Sequence, residues 1–105
     1  MFIAMNRFRI APGSEEEFER IWRERQTNLP GMPGFVAFHL LRGPGSPEFT
    51  LFASHTVWES REHFEDWTKS DAFRRSHGGA ARSGTLYLGP PQFEGFDVVQ
   101  EILPG

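Results

Sequence analysis

The sequence contains no cysteine among its 105 residues. A disulfide framework, a thiolate metal site and a cysteine nucleophile are therefore excluded. Lysine is almost absent: Lys69 is the only one, and the other basic residues are arginines. Net charge is −3 with both signs interspersed, so the basic stripe that a nucleic-acid partner needs is missing. No apolar run is long enough to cross a bilayer as a helix. Arg7 and Arg9 interrupt the opening apolar stretch, which is unlike the core of a signal peptide. These absences lead to the expectation of a soluble, cytoplasmic chain with neither a nucleic-acid nor a membrane partner. There is no internal repeat, and the length suits a single domain spanning 1–105.

What the chain does have is aromatic bulk, with eleven Phe and three Trp. Such numbers imply a bulky core, an aromatic pocket, or both. Residues 2–10 alternate: Phe2, Ala4, Asn6, Phe8 and Ile10 share one face of a strand, while Ile3, Met5, Arg7 and Arg9 share the other. Asn6 thus interrupts an apolar face. Pro12-Gly13 reads as a turn, and Ser14 with Glu17 as a capping box that opens a helix over 14–28. On that helix Phe18, Ile21, Trp22, Arg25 and Leu29 recur at helical spacing, with Trp22 in the core. Residues 35–42 and 48–57 are strands joined by a Gly/Pro turn, which reads as a hairpin. A final strand region covers 85–102, interrupted by Gly89-Pro90-Pro91. The order β-α-β-β-α-β predicts an α+β, ferredoxin-like fold. Both faces of 35–42 and 49–57 carry large apolar groups, and an antiparallel sheet with one wet face alternates more cleanly. The second face is therefore expected to pack on another sheet, most simply that of a second copy, giving a homodimer.

The chain between the hairpin and the last strand, Thr56 to His77, is where chemistry is concentrated. Ser60 and Ser70 each suit an N-cap, so two short helices are expected, 60–68 and 71–77, with a bend between them. Phe64 and Trp67 share a face of the first; Phe73 and His77 share a face of the second. His77 precedes Gly78-Gly79. An ordinary role is available to it, because a histidine in a last helical turn gains ~0.3–1 kcal/mol from the dipole. The alternative is an imidazole offered to a metal. One histidine cannot hold zinc, which takes about four ligands. One axial histidine does suffice for haem iron, because the porphyrin occupies the other in-plane positions. Likewise Asn6 is either an amide bonded within the fold or a polar group facing a ligand. His39, His55 and His63 show no ligand spacing and read as structural or surface residues. No phosphate-binding glycine loop and no GxSxG elbow is present.

With these residues in view, the sequence resembles the antibiotic biosynthesis monooxygenase (ABM) domain family. Within it, the chain is most similar to the IsdG-type haem-degrading monooxygenases. The likeness runs through NRFRI on the first strand, PGF at 33–35, LLR at 40–42, then TVWES, FEDW, SDAF and His77. The resemblance implies a dimeric α+β barrel. It implies haem as cofactor and substrate, opened oxidatively with release of iron, using O2 and an electron-donating reductase. It assigns His77 as axial ligand to the iron, Asn6 as the polar group on the opposite side, and Trp67 as the indole pressing on the porphyrin. Phe64 and Phe73 join them in binding the macrocycle. Two other readings stay open: a cofactor-independent ABM monooxygenase acting on a quinol-like aromatic, and a non-catalytic haem or small-molecule-binding stress protein.

Overall fold

The structure is a computed structural model that describes residues 1–25, 28–71, 73 and 86–105. Strand β1 (Phe2–Ile10) leads into helix α1 (Glu15–Glu24) and a short 3-10 turn, Leu29–Gly31. Strands β2 (Phe35–Gly45) and β3 (Thr50–Trp58) form the hairpin; helix α2 (Arg61–Thr68) and strand β4 (Gln92–Asp97) follow. The sheet is antiparallel with order β2-β3-β1-β4. This is the ferredoxin-like arrangement expected from the element order.

Several local expectations are corrected. Helix α1 ends at Glu24, four residues early, because Arg25 is already extended and Asn28 is left-handed at φ 59°. Ser14 makes no side-chain cap. Glu15 takes over that end instead, accepting from the Gly13 N–H at 2.9 Å and from the Thr50 hydroxyl at 2.7 Å. The Thr50 bond, foremost, lowers the Glu15 carboxyl below its ordinary value, so what it adds to stability is present at neutral pH and lost on acidification. Ser60 does cap α2, accepting from the His63 N–H at 3.2 Å. Ser70 begins a fresh turn as expected, its hydroxyl accepting from the Phe73 N–H at 3.1 Å. The later part of the expected 71–77 helix, His77 included, lies outside the described residues. Trp22 stands at the edge of the core rather than within it.

The covered face of the sheet carries two aromatic clusters. Phe2, Ala4, Leu29, Trp58 and Trp67 form one; Phe8, Ile10, Phe18 and Phe52 form the other. Helix α2 seals the first through Phe64 and Trp67, and α1 seals the second through Phe18. The turn before β2 depends on Gly34, whose φ is +79° and whose missing side chain makes room for the His63 imidazole. Gly34→Ala should lower stability by ~1–3 kcal/mol, from left-handed strain and this overlap. An unchanged denaturation midpoint would contradict that packing.

Among the described residues, no helix covers the opposite face. Ile3, Met5, Leu41, Val57 and Phe96 lie there, and Leu41 and Phe96 are 41% and 45% exposed. His39 and His55 face each other across β2 and β3 on this side, ring centroids 5.7 Å apart.

Candidate functional site

Along the covered face of β1 every residue except Asn6 is buried and apolar. Asn6 falls between the two clusters, and the strand register says what lies beside it. It stands opposite Ser54 on β3 and Phe93 on β4, and Ser54 stands opposite Leu40 on β2. The row Leu40–Ser54–Asn6–Phe93 is thus the floor between α1 and α2. Phe93 stacks on Phe64 of α2 at 5.6 Å with planes 9° apart, closing one end of the row.

At the other end is a cavity of about 350 Å³, lined by Trp22, Phe38, Leu40 and Phe52 together with the Glu19–Arg42 ion pair. Trp22 stacks on Phe38 at 5.6 Å and 16°, while its indole N–H is buried without a partner. Arg25 lies over the Trp22 ring at 4.0 Å. Burial pulls the Arg25 guanidinium down, opposed by Tyr87, and burial pushes the Tyr87 phenol up, opposed by Arg25. The two are paired and half-buried at the edge of the aromatic cluster of α1. Flat aromatic walls, a neighbouring floor with two small polar groups and the guanidinium groups of Arg23 and Arg42 in the lining suit a planar apolar ligand that carries an acidic group.

Of the residues singled out from sequence, Asn6 is on this floor. Trp67 is on the same side of the sheet, 5% exposed, packed on Trp58 at 6.1 Å and on Phe73 at 5.6 Å. Phe64 joins Trp67 through the shared cluster and reaches the floor through Phe93. His77 lies outside the described residues, so its distance to Asn6 is not defined. Sequence reasoning missed Ser54, Phe93 and Arg25. The first two could have been found only by fixing the register of β3 and β4 on β1. Among the described residues, no group of three or more His, Asp or Glu is arranged to hold a metal ion. No helix among them is long and apolar enough to cross a membrane.

Residues 1–79 match the antibiotic biosynthesis monooxygenase family, and the chain belongs to it. Among curated relatives, the mycobilin-producing haem oxygenase of Mycobacterium tuberculosis is 29% identical over 95% of this chain and 90% of that protein. A crystal structure of the M. tuberculosis haem degrader MhuD with two haems in its active site has a TM-score of 0.72 and 27% identity, covering 97% of this chain and 99% of that one. A MhuD variant with two manganese protoporphyrin IX molecules per active site has a TM-score of 0.79 and 25% identity, covering 99% and 100%. SnoaB of Streptomyces nogalater, a cofactor-independent oxygenase, shares the fold at 22% identity, with a TM-score of 0.72 over 96% of this chain and 95% of its own.

Proposed function

We propose that this chain is a haem-degrading monooxygenase that takes haem into the cleft between α1, α2 and the sheet, opens the porphyrin oxidatively and releases its iron. The observation that carries the reading is the floor of the cleft: a lone amide, Asn6, in an aromatic setting, in a chain similar along nearly its whole length to a haem degrader. Haem supplies the iron at which dioxygen is activated; O2 and electrons from an external reductase are the other requirements. The chain's own residues bind and orient. His77 would hold the iron through a neutral imidazole. Asn6 would present its amide to the bound ligand. Trp67, 5% exposed, would press on the macrocycle and favour a distorted ring. Phe64 and Phe73 support that indole and line the wall. Arg25 suits the carboxylates of the substrate.

The working form in this reading is a soluble cytoplasmic homodimer, with the uncovered sheet faces packed together. Single-turnover decay of the haem absorption bands after adding ascorbate, with the iron captured by a chelator, tests the activity. Bands that persist, or that bleach while iron stays bound, would contradict it. Trp67→Phe should fold and bind haem yet degrade it more slowly, because a phenyl ring presents less surface to the porphyrin. An unchanged rate, read from the same decay, would make Trp67 a core residue and nothing more.

A further inference from the structure

Ser54 is 4% exposed and sits in the middle of β3, facing the covered side between Phe52 and Thr56. Its register partner on β1 is Asn6. No hydrogen bond joins the Ser54 hydroxyl or the Asn6 carboxamide to any described residue. The hydroxyl is also not among the polar atoms sealed from solvent without a partner, whereas the indole nitrogens of Trp22 and Trp58 are. Ser54 thus keeps a small residual exposure in the row it shares with Asn6. Directly opposed side chains on neighbouring strands stand about 4.5–5.5 Å apart at Cβ, close enough for both to reach one small group between them. Two adjacent polar side chains, both unpartnered on an apolar floor, are an arrangement the fold alone does not favour, since burying each without a bond is unfavourable.

We propose that Ser54 is a second polar ligand contact, acting beside Asn6, and that the pair binds a single small acceptor held over the floor. The acceptor is a dioxygen-sized group or anion presented from the ligand in the cleft. The Ser54 O–H and the Asn6 NH2 both donate to it, and the flanking Leu40 and Phe93 keep water from competing. This deepens the haem reading above and rests on it.

The first test is azide, a small anionic acceptor, titrated into the ferric, haem-loaded protein and followed in the visible spectrum. Ser54→Ala should weaken azide about fivefold, the worth of one net hydrogen bond. Ser54→Thr, which keeps the hydroxyl, should restore most of it. Asn6→Ala combined with Ser54→Ala should lose less than the product of the two single effects, because the donors share one acceptor. Azide affinity unchanged in Ser54→Ala would overturn the proposal. The second test is thermal melting of the haem-free protein. An unpartnered hydroxyl can leave without breaking a bond, so Ser54→Ala should melt at the wild-type temperature or above. A clearly lower melting temperature would show a structural bond to Ser54 and would also overturn the proposal. If the wild-type protein takes up no haemin, the haem reading fails by itself, while melting still decides whether the hydroxyl is free.

Discussion

His77→Ala is expected to abolish the haem-bound spectrum and with it all porphyrin degradation, while secondary structure and oligomeric state stay unchanged. His39 and His55 face each other on the uncovered side of the sheet, away from the cleft. His63 is engaged with the Ser60 hydroxyl at 2.7 Å and packs against Gly34 at the start of α2. His77, which the sequence places before Gly78-Gly79, is the histidine proposed to hold the iron. The sequence pattern expects it in a last helical turn, where a histidine contributes at most about 1 kcal/mol, so its removal should cost the fold little. Because a neutral imidazole must bind the iron, haem affinity should weaken as pH falls and protons compete for the ring. Alanine replacements of His39, His55 and His63 are the controls, and each should leave the absorption bands in place. A His77→Ala protein with unchanged bands would remove His77 from the site.

The second large effect concerns the uncovered face. In the proposed homodimer, Val57→Arg should yield a folded monomer. Val57 lies opposite Ile3 on β1 and Ala37 on β2, within the apolar patch that no helix among the described residues covers. On a wet face the longer side chain would extend into water at little cost. Between two packed sheets it would bury a charge without a partner, which costs ~2–5 kcal/mol. The dimer dissociation constant should then rise by at least about thirtyfold. Sedimentation equilibrium at micromolar protein reads this directly. A stable wild-type monomer under those conditions, or a variant that associates as tightly as wild type, would contradict the face-to-face arrangement.

Much of this was legible in the chain. The period-two pattern of Phe2 to Ile10 puts Asn6 on the covered face, and Ser60 with Ser70 marks the two helix starts, because both signals are local. Ends that depend on competition were less legible. The expected capping box of Ser14 and Glu17 does not form: the Ser14 N–H, which Glu17 would accept, donates to the Ala11 carbonyl at 3.0 Å. The strand expected to run through Ile102 stops at Asp97, because its partner β1 begins at Phe2 and the pairing ends there. Only the Val98 N–H follows, donating to the Met1 carbonyl at 2.9 Å, and Val99 and Ile102 are left 94% and 83% exposed. Ser54 was invisible for a related reason. Within EFTLFASHTV its hydroxyl is unexceptional, and its meaning comes from the residue it meets across the sheet. Local sequence marks one polar residue on a strand; the pairing of distant strands sets a second beside it.

The most direct test of the central claim is a haemin titration of the purified protein followed in the Soret region. The account predicts a shifted Soret band that saturates at one haem per subunit, and that decays once ascorbate is supplied while a chelator collects the iron. A titration with no saturable shift would contradict it, and would favour the cofactor-independent oxidation of a quinol-like aromatic in the same cleft.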